Sequence, residues 1–544
     1  MHTPSVPHAL STSPCVERGE HRRADLLTAL ADASTYGATE PVEVHETHAS
    51  WVFLVGDRAF KLKKPLDLGF LDYSTPARRR IACVEEVRVN RELAQDIYLG
   101  VRAIVRADTR LTMTSEGASN AVDYVVEMRR FREADTLAGL IAAGGLSAAH
   151  IEAVARRLAA FHRGALVVAG GGAQEVLRMW LLNVRELAEA GRAPASSLDL
   201  SAGFAEAFVS VHSEEIERRR RAGLVRDGHG DLRCEHVLAV PSVRVVDRIE
   251  FDPTLRHTDI ACDLAFLTMD LEAQDQRWAA EELVSAYRRE GTDAGSETLL
   301  AFYAAHHALV RAKVALIAVA EHDGERREEL LEQARSMSAL AERLCWRARG
   351  PLALVICGPA ASGKSSLAAE LSRRSGLTVV SSDATRKAAA GLRATERATP
   401  EHYSHHFTHH TYELLAARAR ELLDGGSGVI VDASCRSRVE RSTLLGRLRR
   451  SGLPRLVVRC DVPLQVALER AARRMHDPDR ISDADPQIVA QQYRSFQPLE
   501  ELPPGSVIEL DTTHPLDTQV DELTRALDRR LAAEGSVVFR DALR

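Results

Sequence analysis

The sequence is poor in the features that would place the protein outside the reducing interior of a cell. Its eight cysteines are scattered, with no C-x-x-C pair and no zinc-like spacing, so we expect reduced thiols. The apolar stretch from Leu309 to Ala320 is interrupted by Arg311 and Lys313, and no apolar run approaches the roughly 20 residues that cross a bilayer. The first 22 residues lack the apolar segment of a secretory signal. We therefore expect a cytoplasmic protein with no membrane partner.

Charge and aromatic residues are equally limited. The formal net charge is −6 at pH 7, and aromatic residues make up 5 % of the chain. A general nucleic-acid binder needs a basic surface, and a single-strand binder needs rings on which bases can stack. The composition therefore argues against nucleic acid as a partner.

The order of the apolar segments predicts three regions in the 544 residues. Residues 1–22 are rich in Pro, Ser and His and are expected to be disordered. Residues 23–349 mix predicted strands and helices, which favours an α+β domain. From Gly350-Pro351 onward strands alternate with helices, as in an α/β domain with a parallel sheet. We predict a domain boundary near residue 349.

A hairpin and a helix are predicted early in the first domain. The segments Trp51–Val55 and Ala59–Lys63 alternate around a Gly56-Asp57 turn, which is the pattern of a β-hairpin. Thr75–Gln95 has the periodicity of a helix, and Asp123–Phe131 that of another strand.

Three acidic segments follow in the same domain. They are His229-Gly230-Asp231-Leu232, Val246-Asp247 and Asp259-Ile260-Ala261-Cys262-Asp263-Leu264-Ala265. With them the chain resembles the aminoglycoside phosphotransferase family, a branch of the protein-kinase-like fold. The resemblance implies that Asp231 accepts the proton of a substrate hydroxyl and that Asp247 binds magnesium. Phosphoryl transfer also needs a cation on the phosphates.

The resemblance places that cation on the third strand of the small lobe. Ala59-Phe60-Lys61 fits the A-x-K of kinases. Lys63 lies on the same strand face, because side chains alternate, and we favour Lys61. For its glutamate partner on the following helix, we choose Glu86 over Glu85 and Glu92.

The first domain departs from the family in the catalytic motif and in the element that begins at Asp247, which has an extra residue and reads Asp247-Arg248-Ile249-Glu250. The asparagine that serves as second metal ligand is His236, and the second histidine of the motif is Arg233. A neutral imidazole can bind a metal, which keeps His236 as the candidate ligand, but magnesium prefers oxygen. Two interpretations stay open: an active kinase domain, or a kinase-shaped domain that binds a ligand without transferring phosphate.

The second domain begins with a complete P-loop, also known as a Walker A motif. The apolar run Leu352–Cys357 precedes Gly358-Pro359-Ala360-Ala361-Ser362-Gly363-Lys364-Ser365, and a helix-like stretch begins at Ser366. This strand–loop–helix context is the one that the motif requires. The backbone N–H groups would hold phosphates, Lys364 would reach the β- and γ-phosphates, and Ser365 would bind magnesium. We therefore predict ATP and Mg²⁺ as cofactors.

Two later strands end in aspartate. One runs into Asp383, with Arg386 completing a D-x-x-R arrangement, and Val429-Ile430-Val431 ends at Asp432. Asp383 could orient or deprotonate an acceptor hydroxyl, and Asp432 could contact magnesium as a Walker B residue. Alternatively, each aspartate caps the helix that follows it.

Arginines gather near residue 470, ahead of a polar segment. Arg470 and Arg474 are spaced i, i+4 and share one helix face. Such arginines can stabilise charge on a transferring phosphoryl group and close a lid, or they can form a solvated helix face. Farther back, His402–His410 is rich in histidine. A metal site is conceivable there, but we favour a hydrated or substrate-facing helix.

The motifs of the second domain resemble the small-molecule and polynucleotide kinases, including gluconate kinase, adenylylsulfate kinase and the zeta-toxin kinases, over residues 352–530. The two halves together resemble bacterial bifunctional aminoglycoside phosphotransferase-like/ATP-binding proteins. This implies a kinase with two potential ATP sites that phosphorylates a hydroxyl of a small molecule. The alternatives are a nucleotide-regulated binding or stress-response protein with a degenerate kinase-like domain, and a polynucleotide 5′-hydroxyl kinase.

Overall fold

The structure is a computed structural model that describes residues 24–47, 49–67, 71–107, 110–191, 195–449, 453–475, 483–503 and 505–541, with 534–541 described by their backbone alone. The predicted N-terminal tail and residues 476–482 of the predicted lid lie outside the described residues. The chain divides into two compact units. Unit 1 consists of Met1–Ala169 and Gly223–Asp293, and unit 2 of Gly170–Ala222 and Ala294–Arg544. The boundary near residue 349 stays a prediction.

Unit 1 contains a six-stranded antiparallel sheet in the order β1-β2-β3-β6-β4-β5. Helix α1 (24–30) precedes it. The strands are β1 (Glu43–Glu46), β2 (Ser50–Val55), β3 (Arg58–Lys63), β4 (Tyr98–Ala107), β5 (Arg110–Ser115) and β6 (Ala121–Arg129). The predicted hairpin is confirmed, because β2 and β3 pair antiparallel with Trp51 opposite Leu62.

Helix α2 (Pro76–Ala94) packs against this sheet. Thr75 caps it by accepting a hydrogen bond from the backbone N–H of Arg78, and Pro76 suits the first helical position because no donor is needed there. Cys83 and Val87 belong to the same buried cluster as Val126 of β6. The buried side of α2 also carries Glu86.

The rest of unit 1 is helical, with two short strand pairs that present the acidic motifs. The helices are α3 (Leu137–Ala142), α4 (Ala148–Gly164), α7 (Ile260–Ala273) and α8 (Arg277–Arg289). Strand β7 (Val225–Asp227) pairs with β10 (His257–Asp259), and β8 (Val237–Leu238) pairs with β9 (Arg244–Val245). Asp231 lies between β7 and β8, and Asp247 follows β9.

Unit 2 contains a five-stranded parallel sheet in the order β12-β13-β11-β14-β15. The strands are β11 (Ala353–Cys357), β12 (Thr378–Ser381), β13 (Val429–Asp432), β14 (Arg455–Asp461) and β15 (Val507–Asp511). The helices are α11 (Lys364–Ser375), α12 (Ser382–Ala389), α13 (His405–Asp424), α14 (Arg438–Leu448), α15 (Leu464–Arg474), α16 (Pro486–Ser495) and α17 (Leu516–Asp541). The central strand β11 is buried on both faces, with Val355 in one core and Ile356 in the other, as expected for a covered parallel sheet.

Four further helices belong to unit 2: α5 (Ala173–Glu189), α6 (Ala195–Arg221), α9 (Glu297–Ala318) and α10 (Gly324–Ala348). Phe302 of α9 packs against α5 and α6, stacked on Trp180 at 4.6 Å and on Phe208 at 4.2 Å between ring centroids.

One helical stretch within the described ranges, Glu297–Glu321, has the length and composition to cross a membrane, and 44 % of its apolar window is buried. The sequence analysis expected no apolar run long enough to cross a membrane, so this helix differs from that expectation. Buried core helices of soluble proteins can have the same length and composition. The seven cysteines among the described residues are all free.

Candidate functional sites

Strand β3 and helix α2 bring a lysine and a glutamate together in unit 1. Nζ of Lys61 lies 3.0 Å from Oε1 of Glu86 and 2.6 Å from Oδ1 of Asp247. Burial alone would lower the pKa of Lys61, but the charges of Asp247 and Glu86 raise it well above its usual value. The three predicted residues are therefore in contact, and their catalytic roles stay predictions.

Lys63 is a second lysine on the same face, and it is fully buried. Its Nζ lies 2.6 Å from Oε2 of Glu86 and also donates to Glu250. The hydroxyl of Tyr73 donates to the same oxygen of Glu250 at 2.6 Å. Strand alternation predicts the position of Lys63, but the sequence around Glu250 does not predict its contact with this lysine. Charges of opposite sign thus alternate along the row Asp247, Lys61, Glu86, Lys63 and Glu250.

The other two candidate glutamates on α2 have different partners. Glu85 forms an ion pair with Arg88 at 2.6 Å, and Glu92 forms one with the buried Arg248 at 2.9 Å. Glu86 is therefore the candidate that lies beside the lysines.

A buried carboxylate on α7 fixes the turn that carries Asp231. Asp263 accepts hydrogen bonds from the backbone N–H groups of His229 (2.8 Å) and Gly230 (2.9 Å) and contacts Nε2 of His162 at 2.9 Å. Burial would raise the pKa of Asp263, but the contact with His162 and the N–H of His229 lower it well below the usual range. Gly230 has φ +87°, and a Cβ there would lie 3.0 Å from a backbone oxygen, so the turn requires glycine. Asp263 belongs to the third acidic segment of the sequence, but no local pattern predicts this role.

Asp231 is held by Arg233. Nε of Arg233 lies 3.0 and 3.1 Å from the two carboxylate oxygens of Asp231, and its Nη2 lies 3.0 Å from Nε2 of His236. Nδ1 of His236 lies 2.8 Å from the backbone oxygen of Asp231. A carbonyl accepts and a guanidinium donates, so we assign His236 as the neutral tautomer protonated at Nδ1. Its Nε2 lone pair therefore faces Arg233.

The donor groups of unit 1 fit one magnesium ion better than two. Lys61 lowers the pKa of Asp247 well below its usual range, against the effect of burial, and Arg233 lowers it further. Asp247 is therefore an ionised carboxylate that could offer oxygen to a metal, with Oδ1 accepting a hydrogen bond from Lys61 and Oδ2 lying 3.6 Å from Nε2 of His236. The predicted second ligand, His236, offers a nitrogen that is already engaged, and magnesium prefers oxygen.

In unit 2 the P-loop joins β11 to α11. Gly358 has φ +143°, and a Cβ there would lie 2.8 Å from a backbone oxygen of Cys460, so glycine is required. Lys364 donates from Nζ to the carbonyl of Pro359 at 2.8 Å. Oγ of Ser362 is buried and has no hydrogen-bond partner among the described residues, which fits a loop built to receive phosphate oxygens. The other predicted members, Ala360, Ala361, Gly363 and Ser366, lie in the same loop and in the first turn of α11.

The carboxyl ends of three adjacent strands, β12, β13 and β11, bring together the polar groups beside this loop. Ser365 donates from Oγ to Oδ2 of Asp432 at 2.7 Å, a hydroxyl–carboxylate pair that fits a magnesium ion. Burial raises the pKa of Asp383, Asp432 raises it further, and Lys364 and Arg386 oppose the rise. Asp383 is therefore suited to take a proton.

The capping alternative does not account for either aspartate. The N-cap of α12 is Ser381, and Asp383 lies inside the helix. The helix after β13 is α14, whose N-cap is Ser437 rather than Asp432. Both carboxylates thus remain available for a site at the sheet edge.

Arg386 fixes the segment that follows α12. It is buried, donates to the carbonyl of His402 at 2.6 Å and lies 4.7 Å over the ring of Tyr403. The Tyr403 hydroxyl donates to Asp483 at 2.9 Å. This arginine therefore anchors one wall beside Asp383.

The two candidate arginines of α15, Arg470 and Arg474, have different environments. Arg470 donates to the carbonyl of Thr512 at 2.6 Å, and Oγ1 of Thr512 donates to the carbonyl of Ser362 at 2.7 Å. Arg470 therefore supports the P-loop through Thr512, a residue that sequence reasoning missed. Arg474 ends α15 half-buried and has no hydrogen bond or ion pair among the described residues.

The histidine-rich segment does not form a metal centre within the described residues. His402 lies in the short helix Pro400–Tyr403, where its Nδ1 contacts the hydroxyl and backbone N–H of Thr399, and its ring packs edge-on against Phe407. No group of three or more His, Cys, Asp or Glu side chains placed to hold a metal occurs in the described part of the chain.

Comparison with known proteins gives matches to each part of the chain. Residues 354–499 match the family described as an AAA domain (AAA_33). The chain is 30 % identical over 404 residues, 72 % of its length and 78 % of theirs, to the uncharacterized proteins Rv2004c of Mycobacterium tuberculosis and Mb2027c of Mycobacterium bovis. Neither unit alone has that length, so the match extends into both.

Two solved structures are similar to the chain. One is a choline/ethanolamine kinase family protein from Mesorhizobium loti, with 16 % identity, a TM-score of 0.36, and coverage of 59 % of this chain and 95 % of that one. The other is a gluconokinase from Sinorhizobium meliloti, with 20 % identity, a TM-score of 0.25, and coverage of 35 % and 97 %.

The fold classes predicted from the sequence are confirmed. The kinase-like α+β part has an antiparallel sheet whose lysine meets a helix glutamate. The α/β part has a parallel sheet with a P-loop at the carboxyl end of its central strand, and it matches the AAA domain family.

Proposed function

We propose that this chain, which belongs to the family of the mycobacterial proteins Rv2004c and Mb2027c, is an ATP-dependent phosphotransferase acting on a hydroxyl of a small molecule. One observation carries the proposal: Lys364, Ser365, Asp432 and Asp383 converge at one edge of the parallel sheet. These residues supply the cation, the metal ligands and the base that phosphoryl transfer needs. Magnesium, when bound, supplies neutralisation of the phosphate charge.

In unit 2, each residue has a distinct role in the proposed reaction. Asp383 orients the acceptor hydroxyl and takes its proton. Lys364 exchanges its contact with the Pro359 carbonyl for the β- and γ-phosphates. Arg470 keeps the P-loop in shape through Thr512, and Arg474 stabilises charge on the transferring phosphoryl group.

In unit 1, we propose a second ATP site. Lys61, held between Glu86 and Asp247, contacts the phosphates, and Asp247 is the metal ligand. Asp231 is the candidate base for the acceptor hydroxyl. Asp263 keeps the turn that carries Asp231 in place by accepting hydrogen bonds from the N–H groups of His229 and Gly230.

We propose a cytoplasmic location, where ATP and magnesium are abundant. The free cysteines of the described residues support a reducing compartment. The partner that we propose is a small-molecule acceptor rather than a membrane or a nucleic acid.

The test is ATP consumption by the full chain with a panel of sugars, sugar acids, amino alcohols and one 5′-hydroxyl oligonucleotide. Acceptor-dependent consumption assigned to unit 2 should fall about 100-fold or more in Lys364→Ala, and consumption assigned to unit 1 should fall in Asp231→Asn. Arg373→Ala, at an exposed position of α11, is the matched control and should keep full activity. Turnover that persists when both sites are mutated contradicts the proposal, and turnover with the oligonucleotide alone favours a polynucleotide kinase.

A second function for unit 1 is favoured by the ion pair between Asp231 and Arg233. A carboxylate neutralised by a guanidinium is a weaker base, so unit 1 could bind nucleotide as a sensor without transferring phosphate. The Lys364→Ala protein distinguishes the two readings. A sensor binds nucleotide in this background but consumes no ATP with any acceptor.

A further inference from the structure

Arg233 occupies a central position in the site of unit 1. Its side chain is 16 % exposed, and its Nη2 lies 3.0 Å from Oδ2 of Asp231. The same nitrogen lies 3.0 Å from Nε2 of His236. Another of its nitrogens contacts Glu235. The guanidinium therefore connects the candidate base to the residue that stands where a second metal ligand is expected.

The loop around Arg233 is fixed at both ends. The backbone N–H of Cys234 donates to Oδ2 of Asp270 at 2.7 Å, and Asp263 fixes the turn before Asp231. Burial would lower the pKa of Arg233, but Asp231 and Glu235 raise it. The arginine is thus a permanent, preorganised cation rather than a mobile surface side chain.

We propose that the Arg233 guanidinium takes the place of a second magnesium ion, so that unit 1 binds its nucleotide with a single divalent ion held by Asp247. The inference rests on the proposed nucleotide site of unit 1. Two features of the chain support it together. Where a second ion would need an oxygen donor, His236 offers a ring nitrogen, and the guanidinium of Arg233 already faces that nitrogen.

The charged side chains around the proposed metal position of unit 1 favour one bound divalent ion over two. Asp247, Asp231 and Glu235 supply three negative charges, and each already contacts a cation, Lys61 or Arg233. A second divalent ion would have to approach the guanidinium, which costs free energy through like-charge repulsion. One ion at Asp247 would meet less repulsion from Arg233, because the His236 ring lies between the guanidinium and Oδ2 of Asp247.

The experiment counts metal ions bound to the full chain. Lys364→Ala and Ser365→Ala together silence the P-loop, and the non-hydrolysable analogue adenylyl imidodiphosphate is supplied at one equivalent. Bound Mn²⁺ is measured by electron paramagnetic resonance. We expect one Mn²⁺ per bound nucleotide, and we expect the further pair Arg233→Ala and His236→Asn to bind two. Two ions before that change would overturn the inference while leaving the proposed nucleotide site intact.

Three further variants separate this role from a structural one. Arg233→Lys keeps the charge and should bind one ion, with nucleotide affinity close to that of the parent. Arg233→Ala should weaken nucleotide binding about tenfold at one equivalent of metal, whereas the exposed control Arg277→Ala should not; unchanged affinity in Arg233→Ala contradicts the inference. Asp247→Asn should abolish metal-dependent binding. If the parent binds no nucleotide at all, the proposed function of unit 1 fails, and the inference fails with it.

Discussion

Lys63 and Glu86 form an ion pair that is closed off from water, with Nζ 2.6 Å from Oε2 and each side chain 1 % exposed. The other oxygen of Glu86 lies 3.0 Å from Lys61, which in turn reaches Asp247. A buried charge is tolerated when it is paired and hydrogen-bonded. Lys63 therefore acts as structural support for the lysine that we place on the phosphates.

Lys63→Met should destabilise unit 1 by about 3–5 kcal/mol, because Glu86 and Glu250 lose a buried partner. Hydrogen exchange of the β3 and β6 amides measures this locally, without requiring the whole chain to unfold in one step. Lys64→Ala is the matched control: its partner Glu46 is 62 % exposed, so its removal should cost about 1 kcal/mol or less. Equal losses in the two variants would contradict the structural role of Lys63.

Asp263→Asn should loosen the turn that carries Asp231. The ionised carboxylate accepts from the N–H groups of His229 and Gly230, and replacing it should cost about 3 kcal/mol at neutral pH. Because the folded-state pKa of Asp263 is lowered, its contribution is present above the unfolded pKa and is lost as the pH falls through the folded pKa.

The measurement for Asp263 is the exchange rate of the His229 and Gly230 amides and the free energy of unfolding between pH 7 and pH 3. The difference between the wild type and Asp263→Asn should shrink toward the acid end. Asp275→Asn is the control, since Asp275 is exposed with positive φ, a conformation that asparagine tolerates. A difference that grows at low pH would refute the assignment.

The sequence predicts those features of the fold and the site whose residues are close together along the chain. The P-loop is a contiguous motif between a strand and a helix, so its position is predictable from the sequence, although α11 begins at Lys364 rather than at Ser366. The sequence offers three glutamates on α2 as neighbours of Lys61, and Glu86 is the one that lies 3.0 Å from it.

The remaining contacts could not be predicted from the sequence, because they join segments that are distant along the chain. His162 meets Asp263 across 101 residues, and Lys63 meets Glu250 across 187. No periodic pattern encodes such pairs; tertiary packing alone brings them together. The grouping of α5, α6, α9 and α10 with the P-loop sheet is likewise a product of packing.

Arg349→Ala should destabilise unit 2, although Arg349 lies at the predicted domain boundary. Its guanidinium makes two hydrogen bonds to Asp528 of α17, at 2.7 and 2.8 Å, and both side chains are buried. Removing one partner of such a pair costs about 3–5 kcal/mol. Exposed Arg335, paired with Glu332 within α10, provides the control, and Arg335→Ala should be nearly neutral by chemical denaturation. For the same reason, a fragment that begins at residue 350 should be less stable than unit 2 in the full chain.

Asp383→Asn should separate chemistry from stability in unit 2. If Asp383 is the base, phosphotransfer should fall by about 10²- to 10⁴-fold. The folded-state pKa of Asp383 is raised by burial and by Asp432, so the stability linked to its proton is present below the unfolded pKa and is lost as the pH rises through the folded pKa. At pH 7 the neutral asparagine removes that repulsion, and the variant should be as stable as the wild type or more so, with the difference narrowing toward pH 4. Asp461→Asn, at a 64 % exposed side chain, should change neither quantity. Retained activity, or a clear loss of stability at pH 7, would rule out the proposed role of Asp383.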